Sequence, residues 1–147
     1  MITFVKVVFI LELRIENIGG KEQVFDAFRQ KWVALTPEEG VRQQFCHFLV
    51  DVKKYPQISI ANECTLQING QRQRCDTIVY SKGHPVMLVE YKASAVKITQ
   101  DVINQALRYN TKLHVPYLVV TNGVDTYCFH INYQNLKATP LTDIPEY

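Results

Sequence analysis

The chain has 147 residues, of which 47% are hydrophobic, and its formal net charge at pH 7 is +2. This size and apolar content fit one domain with one sizeable core, and nothing in the sequence indicates disorder, repeats or low complexity. The small net charge gives no independent argument for nucleic-acid binding, which a strongly basic balance would have supplied. We expect a single domain with lead-in strands and a turn over residues 1–35, a core over 36–133 and a C-terminal tail over 134–147.

Neither the N-terminus nor the cysteines favour a membrane or secreted location. Residues 1–13 are apolar but are interrupted by Lys6 and Glu12, lack a small-residue cleavage site, and are too short to span a bilayer, so an N-terminal strand is the better interpretation. The cysteines are far apart and form no Cys-x-x-Cys pair. We therefore expect reduced thiols in a cytoplasmic protein, without disulfides, zinc or membrane contact. The cysteines are Cys46, Cys64, Cys75 and Cys128.

A turn and strand over residues 21–35 are predicted to lead into a helix that begins at Thr36. Thr36 as the N-cap, Pro37 in the first turn and Glu39 at the third helical position together form a capping box. One face of the helix is apolar and is predicted to pack on the core. That stripe comprises Val41, Phe45, Phe48, Leu49 and Val52.

A β-hairpin is predicted around Asn69-Gly70, a dipeptide typical of two-residue hairpin turns. It joins a strand over residues 64–68 to a strand over residues 74–80, which places Asp76 on the second arm. After a turn at residues 81–85, residues 86–92 read as another strand, whose uninterrupted apolar start indicates burial on both faces.

The end of that buried strand carries the most informative residues of the chain. Alternate side chains of a strand share a face, so Glu90 and Lys92 point the same way. If the strand that holds Asp76 pairs beside it, the two carboxylates converge on one hard cation, with Lys92 just beyond. An isolated Glu-x-Lys more often marks a solvated surface, so the interpretation depends on this context. The combination is the outline of a metal-dependent site that cleaves phosphodiester bonds.

A second helix is predicted over residues 99–113, on which Gln105 and Tyr109 share one face. A buried strand over residues 115–121 and an alternating strand over residues 126–133 follow. The order strand, helix, strand indicates a crossover that lies on the sheet. We expect an α/β domain, with a mixed, mostly antiparallel central sheet flanked by helices.

The series Arg74-x-Asp76, Glu90-x-Lys92 and Gln105-x-x-x-Tyr109 resembles the PD-(D/E)xK nuclease superfamily, and most closely the N-terminal nuclease domain of type I restriction enzyme R subunits. The resemblance implies a restriction-endonuclease-like fold in which Asp76, Glu90 and the main-chain carbonyl of Tyr91 bind Mg²⁺, with Mn²⁺ as a substitute. Lys92 would orient or activate the attacking water. The family often has Pro where this chain has Cys75, but the carboxylate is the group that touches the metal.

The resemblance also leaves the role of Glu39 open, because Glu39 and Arg42 reproduce a Glu-x-x-Arg pattern found near the family's first helix. Glu39 is therefore a helix cap, a supporting site residue, or both. Arg74, Gln105 and Tyr109 are the other residues expected to support the site or contact DNA.

Other polar residues give weaker signals. Six basic residues in or beside the proposed site form either a nucleic-acid-binding patch or scattered solubilising charge. The histidines lack ligand spacing and are interpreted as structural or surface residues. The basic residues are Arg72, Arg74, Lys92, Lys97, Arg108 and Lys112, and the histidines are His47, His84, His114 and His130.

The expected function is a Mg²⁺-dependent DNA endonuclease domain with Asp76, Glu90 and Lys92 as its catalytic residues. Two alternatives remain: a module of this fold that binds nucleic acid without cutting it, and an assembly domain that recruits a separate motor or methylase subunit. The chain has no Gly-Lys-Ser/Thr phosphate-binding loop, so we do not expect it to translocate DNA by itself. DNA, such a subunit and a second copy in a homodimer are the partners considered.

Overall fold

The computed structural model describes residue 5 and residues 13–147, and within them the strands form one sheet of three strands and one of six. The three-stranded sheet is antiparallel and accounts for the predicted lead-in region. Its strands are β1 (Ile15–Ile18), β2 (Lys21–Asp26) and β3 (Lys31–Ala34). The strand expected over residues 1–13 lies largely outside the described residues.

The six-stranded sheet confirms the predicted mixed, mostly antiparallel architecture. Its strands are β4 (Ile60–Ile68), β5 (Gln71–Ser81), β6 (His84–Tyr91), β7 (Tyr117–Thr121), β8 (Thr126–Asn132) and β9 (Lys137–Leu141). They lie side by side in chain order, and within the described residues β6 and β7 form the one parallel pair. This arrangement of strands and helices is consistent with a restriction-endonuclease-like fold.

The β4–β5 hairpin turns at Asn69 and Gly70, as the sequence predicts. Both residues have positive φ angles, +50° and +78°, which the two-residue hairpin turn requires and which Asn and Gly tolerate best. Ile68 consequently pairs with Gln71, and this register carries through the hairpin to place Asn62 opposite Thr77.

The first helix, α1 (Pro37–Asp51), begins where the sequence predicts, and the Thr36 side chain accepts a hydrogen bond from the Glu39 N–H at 3.0 Å. Four members of the predicted apolar stripe are buried. The fifth, Val52, is 43% exposed, so its assignment to the core is wrong: it is the C-cap residue, where the helix has already ended.

The second helix, α2 (Gln100–Asn110), begins after the N-cap Thr99 and continues into a short 3₁₀ turn over residues 111–113. It connects β6 to β7, which confirms the predicted crossover. The two helices pack on opposite sides of the large sheet. Phe45 and Leu49 of α1 join one buried cluster, whereas Ile103 and Ala106 of α2 join the other.

Strand β9 extends the sheet into the segment that the sequence analysis treats as a tail. It pairs antiparallel with β8, and beyond it Ile144 is 2% exposed within the core. β9 has no strong strand signal because it is short and contains Pro140, which lacks a backbone N–H. Among the described strands β9 lies at the edge of the sheet, and an edge strand tolerates a proline.

Candidate active site

The candidate site lies where β5 and β6 separate. Their antiparallel pairing extends as far as Thr77 opposite Val89, whereas β6 continues alongside β7 until Tyr91 lies opposite Thr121. Asp76, the residue before Thr77, therefore lies just outside the β5–β6 pairing. Glu90 is the first residue of β6 that no longer pairs with β5. Backbone groups that leave a ladder need other partners.

Asp76 supplies one of these partners. Its Oδ2 atom accepts a hydrogen bond from the main-chain N–H of Tyr91 at 3.0 Å, so a side chain replaces the missing ladder acceptor. Just beyond, the main-chain N–H of Lys92 donates to the carbonyl of Thr121 at 2.9 Å. These two bonds fix the backbone of Glu90-Tyr91-Lys92, and the Oδ1 atom of Asp76 takes part in neither of them.

The two carboxylates and the lysine line one pocket of about 310 Å³. The described residues that carry charge there are Glu38, Arg74, Asp76, Glu90 and Lys92. A smaller pocket of about 220 Å³ shares Glu90 and Lys92 with it and is also lined by Gln105 and Tyr109. Gln105 and Tyr109 are exposed on α2, so the helix presents its predicted Gln-x-x-x-Tyr pair on the side of Glu90.

Glu38 is a site residue that the sequence analysis did not select. It occupies the first turn of α1 and lines the pocket of Asp76 and Glu90. Burial raises the pKa of Glu38, the negative charge of Asp76 raises it further, and the cations Arg42 and Lys92 lower it. Pattern alone could not separate Glu38 from Glu39, because both stand in the first turn of the same helix.

Glu39 lies instead in a neighbouring ionic network and is not among the residues that line the Asp76 pocket. Its Oε1 atom is 2.6 Å from Nη2 of Arg29 and 3.5 Å from Nη1 of Arg42. The main-chain N–H of Glu39 donates to the Thr36 side chain, whereas the Glu39 carboxylate binds the arginines. Only the first of the two hydrogen bonds of the predicted capping box therefore forms. Glu39 thus joins the three-stranded sheet to α1.

The same network reaches the rim of the pocket through Arg42. The Arg42 Nη2 atom is 2.7 Å from Glu63 Oε1, and Glu63 also pairs with Arg74, whose side chain is 75% exposed. Glu63 adopts a φ of +54°, in the left-handed region that few residues other than glycine occupy. Arg74 lines the candidate site, but its guanidinium group is already paired with Glu63, which is not among the residues that line the pocket.

Tyr91 links the site to the interior. Its buried hydroxyl donates to Thr77 Oγ1 at 2.9 Å, Thr77 donates to Asn62 Oδ1 at 2.7 Å, and Asn62 donates to Asp26 Oδ2 at 3.3 Å. Asp26 in turn pairs with Arg29. This buried chain of hydrogen bonds fixes Tyr91, and with it the main-chain N–H that holds Asp76.

Asn110, the last residue of α2, is a second lining residue that sequence reasoning missed. It is 3% exposed, and its Nδ2 atom lies 3.5 Å from Glu90 Oε1 and 2.8 Å from the carbonyl of Ala106. Burial raises the pKa of Glu90, Asp76 raises it further, and Lys92 and Asn110 lower it. The available signal was a polar residue on the helix face that carries Ile103 and Ala106.

The donor set fits a hard divalent cation, provided that the protein side chains do not supply every ligand. Asp76 and Glu90 offer carboxylate oxygens, which Mg²⁺ prefers, and burial together with like charge makes Glu90 costly to ionise without a cation nearby. Among the described residues, no three His, Cys, Asp or Glu side chains are grouped so as to hold a metal ion. Main-chain oxygens and water would complete the coordination, as is usual for Mg²⁺.

The cysteines are free thiols, and none of them lines the Asp76 pocket except Cys75. Cys46, Cys75 and Cys128 are buried, as expected for apolar runs. Burial is the main cause that raises the pKa of the Cys46 and Cys75 thiols to about 11 and that of Cys128 to about 12. Buried thiols with such pKa values are unreactive near neutral pH.

The mixed, mostly antiparallel sheet flanked by helices is consistent with the restriction-endonuclease-like class of fold. The family described as "type I restriction enzyme R protein N terminus (HSDR_N)" matches residues 37–145, and the chain belongs to this family.

A solved structure described as a fragment of an HsdR subunit of a type I restriction enzyme from Vibrio vulnificus YJ016 has a similar fold, with a TM-score of 0.52 at 18% sequence identity. The similarity covers 76% of this chain and 24% of that one, so this chain spans about a quarter of the length of its structural relative. No curated protein matches the chain. Among the described residues, no helix is long and apolar enough to cross a membrane.

Proposed function

We propose that this domain is a Mg²⁺-dependent DNA endonuclease of the PD-(D/E)xK type, serving in a type I restriction system. The observation that carries the proposal is the shared pocket of Asp76, Glu90 and Lys92 at the point where β5 and β6 separate. Binding of nucleic acid alone does not need carboxylates turned toward a phosphate, because their charge repels it. A cation between the carboxylates and the DNA removes that repulsion.

Each residue of the pocket has a role in this proposal. Asp76 and Glu90 hold the cation, together with the main-chain carbonyl of Tyr91, and Mg²⁺ supplies charge stabilisation and an acidified water when bound. Lys92 orients the attacking water and stabilises the negative charge that develops on the phosphate. Glu38, which lines the same pocket, is suited to a water-mediated contact with the cation.

The helix α2 supplies a DNA-facing surface in the proposal. Gln105 and Tyr109 line the pocket next to Glu90 and Lys92, where an exposed amide and a phenol ring can contact a sugar-phosphate backbone. Lys112 lies over the Tyr109 ring at 5.4 Å and adds positive charge on this side. Because such contacts carry little base information, we expect cleavage with little sequence selectivity.

Metal binding is the first test. Calorimetric titration of the purified chain with Mn²⁺ or Mg²⁺ should show binding that Asp76→Ala abolishes and that Glu90→Ala also abolishes. Undiminished binding in Asp76→Ala would remove Asp76 from the site. Asp101→Ala, a change at an exposed acid in the first turn of α2, is the matched control and should bind the metal as the unaltered chain does.

Cleavage is the second test. The chain should nick plasmid DNA with Mg²⁺, and Lys92→Ala should stop the nicking while the metal still binds, because the ammonium group acts on water and phosphate. Lys82→Ala, a change at an exposed lysine in the turn between β5 and β6, controls for general loss of positive charge. Nicking by an Asp76→Ala protein purified in parallel would reveal a contaminating nuclease. Without such nicking, equal cleavage by Lys92→Ala would contradict the mechanism.

DNA and the other subunits of a type I restriction system are the proposed partners of this chain. The structural relative is described as part of such an enzyme, and this chain corresponds to about a quarter of it. A non-cleaving DNA-binding or assembly module is the alternative. It predicts DNA or subunit binding that neither Asp76→Ala nor Lys92→Ala alters, with no Mg²⁺-dependent nicking.

A further inference from the structure

Asn110 occupies the gap that opens between β5 and β6. Its Nδ2 atom faces Glu90 Oε1 of β6, and its Oδ1 atom accepts a hydrogen bond from Nε2 of Gln73 of β5 at 3.0 Å. The same Nδ2 atom also donates to the Ala106 carbonyl within α2. One buried amide therefore joins the two separating strands to the end of the helix.

The orientation of this amide is unique. Nδ2 faces two acceptors, the Ala106 carbonyl and the Glu90 carboxylate, whereas Oδ1 faces the NH₂ group of Gln73. Exchanging the N and O atoms of Asn110 would place its oxygen against both acceptors, and exchanging those of Gln73 would place two oxygens together. Since an amide nitrogen only donates and an amide oxygen only accepts, neither exchange is allowed.

Gln73 gives up a hydrogen bond to maintain this arrangement. It is 3% exposed, and its Oε1 atom is buried without a hydrogen-bond partner among the described residues. The Nε2 atom is therefore the polar atom of the Gln73 side chain that has a defined partner, and that partner is Asn110.

We propose that Asn110 is a positioning residue for Glu90: braced by Gln73, its amide holds the Glu90 carboxylate in the cleft between β5 and β6, turned toward the pocket it shares with Asp76. The inference rests on the proposed metal-dependent function and adds a pair of residues to it. Partners of this kind orient a metal ligand before the ion arrives, and their loss typically lowers metal affinity about 10- to 100-fold.

The 3.5 Å separation between Asn110 and Glu90 suits this role. It is long for a hydrogen bond, so a cation that binds Glu90 competes with a weak contact only. Lys92, Glu38 and Asp76 line the same pocket as Glu90. Among these groups, Asn110 is the uncharged one, and it is not a candidate ligand.

The test compares Mn²⁺ affinity with stability in the whole chain. In calorimetry, Asn110→Ala should raise the dissociation constant for Mn²⁺ about 10- to 100-fold. Gln73→Met, which keeps the volume, should raise it severalfold. This substitution removes the unpaired Gln73 Oε1 but leaves the Asn110 Oδ1 without its donor, so the melting temperature of the metal-free protein should change little. Loss of affinity without loss of stability is the signature of positioning, because a purely structural residue would lower both.

Asn104→Ala is the matched control, since Asn104 lies on the same helix and bonds to Gln100 instead of the site. It should bind Mn²⁺ as the unaltered chain does. A folded Asn110→Ala or Gln73→Met protein with unaltered Mn²⁺ affinity would overturn the positioning role while Asp76→Asn still abolishes binding. If Asn110→Ala does not fold, Gln73→Met decides. An unaltered chain that binds no Mn²⁺ would overturn both the proposed function and this inference.

Discussion

Two neighbouring clusters of charged side chains in this molecule use acidic residues in opposite ways. In the ionic network, each carboxylate has an arginine partner: Asp26 with Arg29, Glu39 with Arg29 and Arg42, and Glu63 with Arg42 and Arg74. In the candidate site, Glu38, Asp76 and Glu90 share Lys92 and the already paired Arg74.

The pKa shifts follow from this difference. Burial raises the pKa of Asp26 and of Glu63, but hydrogen bonds and charges of the arginines outweigh burial, so that both values are lowered overall. The pKa values of Glu38 and Glu90 are instead raised, by burial and then by the charge of Asp76. Acids that stabilise a fold have cations beside them, whereas the acids of this site lack sufficient positive charge of their own.

The largest expected effect comes from removing the centre of the network. Arg42 is 3% exposed, bonds to Glu39 and Glu63, and lies over the Tyr91 ring at 5.4 Å. Arg42→Met should destabilise the fold by about 3 kcal/mol or more, since it leaves carboxylates short of a buried partner. Urea denaturation measures this loss. Arg108→Met, at an exposed position of α2, should change stability by less than about 0.5 kcal/mol.

Substitutions at the adjacent residues Glu38 and Glu39 distinguish the two clusters experimentally. Glu39→Gln should destabilise the fold by about 1–3 kcal/mol, because it weakens buried charged hydrogen bonds to Arg29 and Arg42. Glu38→Gln should leave stability unaltered or raise it, and should weaken Mn²⁺ binding. Thermal unfolding and metal calorimetry of both variants distinguish them. Loss of metal binding in Glu39→Gln alone would reverse the assignment of the two residues.

The pH dependence of stability should have opposite signs for Glu63 and Glu90, each with an ordinary pKa of 4.5. Because the folded-state pKa of Glu63 is lowered, its carboxylate contributes stability above pH 4.5, and this contribution is lost as the pH falls through the folded pKa. Because the folded-state pKa of Glu90 is raised, its contribution to stability declines as the pH rises from 4.5 through the folded pKa. If the stability contributions of Glu63 and Glu90 changed with pH in the same direction, the difference drawn between the two clusters would be wrong.

This prediction is measured by subtracting melting temperatures. Relative to the unaltered chain without metal, Glu90→Gln should gain stability as the pH rises from 4 to 7, whereas Glu63→Gln should lose it. Adding Mn²⁺ should reverse the advantage of Glu90→Gln, because only the carboxylate gains a cation.

The smallest stability effect is expected at Gln105. Gln105→Ala should change stability by no more than about 0.5 kcal/mol, since the residue is exposed, yet it should lower DNA affinity or cleavage. Gel-shift and nicking assays measure the effect, with Gln100→Ala on the same helix as the control. Equal DNA affinity and cleavage in both variants would reduce Gln105 to an ordinary surface residue.

Local signals were enough to predict most of the fold. The Asn69-Gly70 turn, the N-cap Thr36 and the apolar start of β6 each determine structure within a few residues, and the structure agrees with each prediction. The separation of β5 from β6 could not be predicted in this way, because it depends on which backbone groups find partners across the sheet.

The unpredicted residues of the site have the same physical origin. Glu39 binds Arg29, which lies ten residues earlier in the turn between β2 and β3, and Glu38 is the acid that lines the pocket. Asn110 and Gln73 meet across 37 positions of sequence. No periodicity encodes such contacts, although a buried amide on an apolar helix face is a reason to look for one.

The hydrogen bond between Asp76 and the main-chain N–H of Tyr91 makes that amide an internal reporter. In an ordinary strand the Tyr91 N–H would bond to a neighbouring carbonyl and would be insensitive to what the pocket contains. Here its acceptor is the carboxylate expected to hold the cation. The nitrogen and proton resonances of Tyr91 and its hydrogen-exchange rate should therefore respond to a diamagnetic ion such as Mg²⁺, and follow occupancy of the pocket without any attached label.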